Sequence, residues 1–207
     1  MGRPNAETSK TLSIRILRAA HEQFITRGFA DASMLGIAGQ ASVTRRTIFH
    51  RFPTKTHLLL AVMDEALRSF LAQASGDQAQ NDRPRTLEDL RHQCRSLFRL
   101  CLSPERVALF RITVAEAGRI EAVSRKLLAF NAALENHLMD AILAVQKGGS
   151  IPELPAHPLA TELVAILISH PTLLSMMDRS AFADDMAAEF YFNRIWSSFC
   201  TRQSWPE

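Results

Sequence analysis

Two short segments that each follow a capping hydroxyl constrain the fold of this chain most strongly. Ser33 precedes residues 34–40 and Thr44 precedes residues 45–51, and Ser and Thr are favoured at the N-cap of a helix. Residues 41–43 leave room for only a tight turn between the two segments. The sequence therefore predicts two short helices joined by a turn, which is a helix-turn-helix. The small and apolar residues that would close this unit are Ile37, Ala38, Ala41, Val43, Ile48, Phe49 and Phe52.

Longer helices are predicted on both sides of this unit. Apolar residues recur at helical spacing before Gly28, and Gly commonly follows the end of a helix. Thr54 is placed to cap a fourth helix that opens with Lys55 and continues to about residue 74. The periodic residues of the first helix are Ile14, Leu17, His21, Phe24 and Ile25.

The remainder of the chain also follows a helical pattern. Only eight Gly and nine Pro occur in 207 residues, and no strand-like alternation is present, which favours helices over a turn-rich β architecture. We predict an all-α fold of about nine helices, with an N-terminal helix-turn-helix domain, 1–55 (motif about 33–52), and a C-terminal helical domain, 56–207. The predicted C-terminal helices after the fourth cover about 86–101, 104–117, 121–147, 158–177, which could break near Pro171, and 181–202.

Positive charge is concentrated at the N-terminal end of the chain. Residues 1–60 hold nine Lys or Arg and three Asp or Glu, whereas the whole chain has a net charge of only +3. Such asymmetry indicates a polyanionic partner. The outer face of the third helix carries Arg45, Arg46, Thr47 and His50, and one α-helix fits the major groove of double-stranded DNA. On an isolated helix, adjacent arginines would equally fit a solvated face.

Other N-terminal residues are expected to contact the DNA backbone. Thr44 begins a helix whose unpaired amides suit phosphate oxygens, and Lys55 lies at the equivalent place on the fourth helix. Ser33 opens the motif and is placed in the same DNA-binding set. His50 could contact a phosphate or a base, or could face solvent. Arg3 lies on a tail that could enter the minor groove or could remain unfolded.

The spaced residues of the N-terminal region form one pattern, which consists of Phe24, Gly28, Phe29, Ser33, Ile37, Ala38, Ala41, Ser42, Val43, Thr44, Thr47, Ile48, Phe49, Phe52, Thr54 and Lys55. This pattern resembles the DNA-binding domain of the TetR family of bacterial transcriptional regulators, over about residues 10–60. The resemblance implies a homodimeric repressor that binds a pseudo-palindromic operator and is released by a small-molecule ligand. The alternative is a DNA-binding module that is controlled by a protein partner or has no small ligand.

Two residues depart from the family pattern. Ser42 stands in the turn where the family usually has Gly, and a left-handed backbone there would cost about 1 kcal/mol. Phe49 stands where the family usually has Tyr, so the hydroxyl that would contact a phosphate is missing.

The last two predicted helices are the most apolar of the chain for their length. The apolar faces of these two helices exceed what the core of one chain requires. They would suit a four-helix interface between two copies of the chain. The same residues could instead pack within one copy. The residues assigned to the dimer interface are Leu163, Ile166, Leu167, Phe190, Ile195 and Phe199.

The predicted C-terminal ligand is a small apolar or amphipathic molecule, because small-molecule sites usually have apolar walls and few polar groups. The segment 110–120 resembles part of a subset of TetR-type C-terminal domains, and it does not identify a ligand. Simple core packing is the competing interpretation for every candidate. The candidate lining residues are Phe98, Phe110, Arg111, Val114, Phe130, Asn131, Leu134, His137 and Met177.

The sequence contains none of the motifs that mark common enzyme sites, such as GxSxG, GxGxxG or HExxH. Its histidines and cysteines lack the spacing of metal ligands, so we predict no catalytic activity, cofactor or metal. Cys94, Cys101 and Cys200 offer no close pair, which indicates reduced thiols. The most apolar window, 163–168, is too short to cross a bilayer. A cytoplasmic bacterial protein without a membrane partner is therefore expected.

Overall fold

The computed structural model describes residues 6–74 and 86–206, and all regular structure in those ranges is helical. This confirms the predicted all-α fold of an N-terminal helix-turn-helix followed by C-terminal helices. Nine helices lie within the described residues, and residues 75–85, between the predicted fourth and fifth helices, fall outside them. The helices are α1 Ala6–Asp31, α2 Met34–Gln40, α3 Arg45–Arg51, α4 Lys55–Ala74, α5 Leu87–Cys101, α6 Pro104–Ala117, α7 Glu121–Lys147, α8 Ala156–Met177 and α9 Asp185–Arg202.

The predicted caps of the short helices are present. The Ser33 hydroxyl accepts the amide of Gly36 at 3.0 Å, and the Thr44 hydroxyl accepts the amide of Thr47 at 3.1 Å. The Thr54 hydroxyl accepts an amide in the first turn of α4 at 3.2 Å. These bonds satisfy amides that have no partner inside the helix, which explains why α2 and α3 begin where the sequence predicts.

Two helices differ from their predicted course, and both differences have a local cause. Inside α1, Gly28 leaves the helical conformation with φ 81° and ψ 167°, as a helix-ending Gly should, but one further turn follows it. Helix α9 begins later than the predicted residue 181, because the Asp184 carboxylate accepts the Met186 amide at 2.9 Å and caps the helix there.

Helix α8 continues through Pro171, near which the sequence pattern allowed a break. Because Pro has no N–H, it cannot donate to the carbonyl four residues earlier. The helix widens into a π-helical turn over Ala165–Ser169, where the His170 amide donates to the Ala165 carbonyl. The resulting 22-residue helix is long and apolar enough to cross a membrane by length and composition. The sequence prediction rested only on the six-residue apolar window 163–168, which is too short to do so. Its buried side chains, including Leu163, belong to a protein core.

The chain divides into two compact units. One combines the residues up to Ser69 with Ala108–Leu127, and the other combines Phe70–Val107 with the residues from Leu128 onward. This grouping does not coincide with the predicted boundary at residue 55, because α4 continues without a break through residues of both units. The domain division at residue 55 therefore stays a prediction.

Each unit has its own apolar core. In the first unit, α1 supplies Ile16 and Phe24, α3 supplies Ile48 and α4 supplies Leu58, all completely buried. In the second unit the core is rich in aromatic rings, and Phe98 lies at its centre with three ring neighbours within 6.0 Å. The aromatic and large aliphatic residues of this second core include Phe70, Leu97, Phe98, Leu138, Ile142, Leu163, Phe192, Trp196, Phe199 and Trp205.

All three cysteines are buried, and none takes part in a disulfide. Burial raises the pKa of the Cys94 thiol far above its ordinary value and that of the Cys101 thiol to about 12. Since the thiolate is the reactive form, these side chains behave as small apolar core residues.

Candidate nucleic-acid interface

Helix α3 is held in place from two sides. Ile48 is completely buried in the first core, and it anchors the inner face of the helix. On the side facing α1, the guanidinium of Arg51 donates to the hydroxyls of Ser13 at 2.5 Å and Ser9 at 2.8 Å. This role of Arg51 was not predicted, because a sequence gives no sign of which basic residue will meet a distant hydroxyl.

The outer face of α3 presents the residues that the sequence assigned to DNA contact. Arg45, Arg46 and His50 are exposed, and Thr47 is half-buried. The Arg45 guanidinium lies 5.7 Å from the centre of the Phe49 ring, and Phe49 itself is 37% exposed. Two arginines and a histidine therefore share a solvent-facing helix surface with one partly exposed aromatic ring.

Phe49 was expected to help close the interior of the unit, but its side chain is partly exposed and is not among the residues of the first core. Ile48 is completely buried, as predicted, while Val43 and Phe52 are half-buried at the edge of the core. The difference follows from the helical period, since residues 48 and 49 point about 100° apart. The hydroxyls of Thr44 and Thr47 lie 2.9 Å apart, so these two side chains hydrogen-bond to each other.

The turn between α2 and α3 contains the left-handed residue that its sequence suggested. Ser42 has φ 51°. The Val43 amide donates to the Ala38 carbonyl at 2.9 Å, and the Ser42 amide donates to the Gly39 carbonyl at 3.0 Å. This pair of bonds is a Schellman motif, in which Gly is the usual left-handed residue.

The same turn is tied to α1 by a basic side chain. The guanidinium of Arg15 donates to the Ala41 carbonyl at 2.5 Å and to the Ser42 carbonyl at 3.3 Å. Both oxygens belong to the end of α2, where carbonyls have no helical partner. Arg15 therefore fixes the turn that sets the angle between α2 and α3, a function that sequence patterning did not reveal.

Helices α1 and α2 approach each other closely at Gly36, whereas the sequence predicted a close crossing of α2 and α3 at Ala38 and Ala41. Ala38 and Ala41 are both buried. Gly36 is the tighter position, because a Cβ there would lie 2.9 Å from the Ser33 hydroxyl and 3.0 Å from the Gln23 amide nitrogen. A Gly inside a short helix is the sequence signal that could have identified this contact.

Lys55, predicted to contact a phosphate, is engaged within the first unit. Its ammonium donates to the Ala30 carbonyl at 2.7 Å and to the Ala32 carbonyl at 2.9 Å. The ring centre of Phe29 lies 4.8 Å from the same nitrogen. Ser33, the neighbouring predicted contact, is exposed, and Arg3 lies outside the described residues.

The residues predicted to form a dimer interface separate into two groups. Leu163, Leu167 and Phe199 are completely or almost completely buried in the second core, so their side chains are not available as a surface within one chain. Ile166 and Ile195 are half-buried beside that core. Only Phe190 of the predicted set is largely exposed. The exposed large apolar residues of α8, α9 and their connection are Leu173, Met177, Met186 and Phe190.

The predicted ligand-lining residues are divided between the two units. Phe98, Phe130 and Leu134 belong to the second core or lie against it. The residues of the other unit in the predicted set are Phe110, Arg111 and Val114. Val114 is exposed, and Met177, in the second unit, is 70% exposed.

The polar members of that set have partners inside the chain. The His137 ring nitrogen Nε2 lies 2.7 Å from the Gln93 amide nitrogen, and the Asn131 amide donates to Glu135 at 2.8 Å. Burial lowers the pKa of His137 below its ordinary value, which favours the neutral ring. Phe98 and Leu134 are buried in the second core, and the ligand-lining role of the set stays a prediction.

Comparison with known proteins identifies the N-terminal region. Residues 16–62 match the family described as bacterial regulatory proteins, tetR family. A related protein, the HTH-type transcriptional regulator TtgW of Pseudomonas putida, is 38% identical over 63 residues. That match covers 30% of this chain and 47% of TtgW, so the chain spans about half the length of this relative.

The complete fold is also shared with solved structures. A TetR-family transcriptional regulator from Mesorhizobium loti is 20% identical, with a TM-score of 0.75 over 93% of this chain and 96% of that one. A TetR transcription regulator from Haloarcula marismortui is 17% identical, with a TM-score of 0.74 over 94% and 98% of the two chains.

A third similar structure is a transcriptional regulator from Saccharomonospora viridis in complex with choline. It is 17% identical, with a TM-score of 0.70 over 90% of this chain and 96% of that one. The family match agrees with the prediction of a regulator and not an enzyme. Residues 16–62 therefore match the tetR family of bacterial regulatory proteins, and the chain shares its all-helical fold with these solved structures.

Proposed function

We propose that this protein is a DNA-binding transcriptional regulator that uses α3 as its recognition helix. The observation that carries the proposal is the outer face of α3, where Arg45, Arg46 and His50 are exposed while Ile48 is buried. No acidic residue occurs between residues 41 and 55. A rigidly held, cationic helix surface matches the shape and charge of the DNA major groove.

The side chains on this face suit two kinds of contact. Arg45 and Arg46 can each donate two hydrogen bonds to O6 and N7 of guanine, the commonest specific contact to a base edge. The amides at the start of α3 and the exposed Ser33 hydroxyl suit phosphate oxygens. His50 extends the same surface towards the end of the helix. Guanine-containing half-sites are the expected targets.

A dimer would supply two such helices to one duplex. Leu173, Met177, Met186 and Phe190 are exposed and support self-association, because exposed large apolar side chains are common at interaction sites. In a twofold dimer, recognition helices about 34 Å apart would enter successive major grooves. The proposed operator is therefore pseudo-palindromic, and the proposed location is the cytoplasm, where DNA is accessible.

Release of the DNA by a small molecule is the regulatory part of the proposal. Support comes from the family match and from the similar Saccharomonospora viridis regulator, whose structure contains choline. We place the ligand of this chain in the second unit, where the half-buried Phe130 and His137 lie near the core. A small organic molecule that binds there would act as the inducer of a repressor.

One observation favours the second candidate, a DNA-binding protein without a small ligand. Phe98 and Leu134 are 1% and 2% exposed, and Phe98 is surrounded by the rings of Phe182, Tyr191 and Phe192. A ligand that used these residues would have to displace close-packed side chains. Control by a protein partner would require no such rearrangement.

Selection of bound duplexes from random oligonucleotides tests the proposal. The expected result is a palindromic consensus that contains guanine at the positions read by α3. Arg46→Ala should relax the base preference at one position of each half-site and weaken binding by about 1–3 kcal/mol. Arg125→Ala, at an exposed position of α7, is the matched control and should leave the consensus unchanged.

A compound library added to the selected complex separates the two candidates. Dissociation by a small molecule supports the ligand-released repressor, whereas retention of DNA in every case favours the module without a small ligand. Failure of the dimeric wild-type protein to enrich any sequence at moderate salt would overturn the DNA-binding proposal itself.

A further inference from the structure

The ammonium of Lys55 has two hydrogen-bond acceptors and one aromatic ring as partners. It donates to the carbonyls of Ala30 at 2.7 Å and Ala32 at 2.9 Å, and the ring centre of Phe29 lies 4.8 Å away. An ammonium group has three N–H donors. Two of them are therefore used by main-chain oxygens, and an aromatic ring lies beside the group. The side chain is half-buried.

We propose that Lys55 is a positioning residue for the DNA-binding surface and not a phosphate ligand. It is the first residue of α4, and it binds the last turn of α1 and the segment that joins α1 to α2. Ala32, one of its acceptors, directly precedes Ser33, whose hydroxyl caps α2. Lys55 thus fixes the start of α2 to the start of α4.

The chemistry of these contacts separates the two roles. Hydrogen bonds from a charged donor are stronger than neutral ones. The two carbonyl bonds hold the Lys55 ammonium at the start of α4, and only its third N–H, beside the Phe29 ring, has no oxygen acceptor among the described residues. Arg46, by contrast, is exposed on α3 and has no hydrogen bond or ion pair assigned to it among the described residues.

Two other basic residues also use their hydrogen bonds to hold helices of the first unit together. Arg15 donates to the carbonyls of Ala41 and Ser42, and Arg51 donates to hydroxyls of α1. Each of these cations connects two helices of the first unit, and Lys55 is the one that includes α4. A displacement of the start of α4 would therefore be passed to α2 through Lys55. The effect of Lys55 on DNA affinity rests on the proposed function, whereas its hydrogen bonds to Ala30 and Ala32 do not.

The salt dependence of DNA binding distinguishes a positioning residue from a phosphate ligand. Removal of one phosphate contact lowers the slope of log K against log salt concentration by about 0.9. For Lys55→Met we expect weaker binding at every salt concentration, an unchanged slope, and a melting temperature lowered by about 4 °C or more. Lys147→Met, at an exposed position, is the matched control and should change neither quantity.

Lys55→Arg provides a second test. A phosphate contact tolerates Arg, because its guanidinium keeps the charge and donates readily to phosphate oxygens. The compact site formed by Ala30, Ala32 and Phe29 should not accept the larger planar group in the same geometry. We therefore expect Lys55→Arg to resemble Lys55→Met in melting temperature and DNA affinity. Full recovery of affinity by Lys55→Arg, or a slope lowered by about 0.9 in Lys55→Met, would overturn the proposal.

Nitrogen NMR of the wild-type lysine ammonium groups needs no variant, and only four lysines occur in the chain. In the free protein, the Lys55 ammonium protons should exchange with water more slowly than those of the exposed Lys10 and Lys147. Addition of a selected duplex should leave the Lys55 signal in place. Rapid exchange in the free protein would contradict the positioning role even if Lys55→Met does not fold, and absence of DNA binding by the wild-type chain would refute only the proposed function.

Discussion

Replacement of Ser42 by Gly should stabilise the first unit. Ser42 is the left-handed residue of the Schellman motif at the end of α2, with φ 51°. A residue with a Cβ is about 1 kcal/mol less favourable than Gly in this conformation. Since the Ser42 side chain is exposed, the substitution removes little packing. We expect Ser42→Gly to raise the free energy of unfolding by about 1 kcal/mol.

A second Ser provides an internal comparison. Ser204 has φ 55° and occupies the same place in a Schellman motif at the end of α9, where the Trp205 amide donates to the Cys200 carbonyl at 2.9 Å and the Ser204 amide donates to the Thr201 carbonyl at 3.2 Å. Ser204→Gly should therefore stabilise the second unit by a similar amount. The matched control is Ser197→Gly, at an exposed helical position, which should destabilise by about 0.5 kcal/mol because Gly weakens helices.

Urea unfolding with two optical signals can assign each effect to its unit. The only tryptophans are Trp196 and Trp205, both in the second core, so fluorescence reports that unit while circular dichroism at the helix band reports both. Ser42→Gly should raise the urea midpoint of the dichroism transition more than that of the fluorescence transition. Ser204→Gly should raise the midpoint of the fluorescence transition at least as much as that of the dichroism transition. If Ser42→Gly is neutral or destabilising while Ser204→Gly stabilises, the left-handed backbone of Ser42 does not destabilise the turn between α2 and α3.

Three further outcomes are expected. Gly36→Ala should destabilise the first unit by about 1–3 kcal/mol, measured by urea unfolding, because its Cβ would lie 2.9 Å from the Ser33 hydroxyl and 3.0 Å from the Gln23 amide nitrogen. Phe49→Tyr should raise affinity for a selected duplex by about fivefold, since a new hydrogen bond to a phosphate contributes about 1 kcal/mol. A fluorescence anisotropy titration measures this affinity. An unchanged affinity would contradict a position of residue 49 next to a DNA phosphate. Because burial lowers the pKa of His137 below 6.5, its contribution to stability is present above that pH and is lost as the pH falls through the folded-state pKa. Fluorescence-detected urea unfolding should show this loss, and His137→Gln should reduce it.

The sequence predicted the structure best where a conformation depends on residues that are close together in the chain. The capping hydroxyls of Ser33 and Thr44 fixed the starts of α2 and α3, since an N-cap bond spans only three residues. The turn at Ser42 was also predictable, because the family pattern placed Gly there. Phe49 was less predictable, because the choice between a buried and an exposed aromatic depends on the exact rotation of a short helix against its neighbours.

The long-range contacts of basic residues explain what the sequence could not predict. Nine Lys or Arg occur in residues 1–60, and charge alone does not distinguish a cation that meets a distant carbonyl from one that faces solvent. In the folded unit, Arg15, Arg51 and Lys55 are hydrogen-bonded inside the protein, whereas Arg45 and Arg46 face outward. The positive charge of this unit therefore has two functions. One set of cations sets the angles between helices, and those angles present the other set to the proposed DNA.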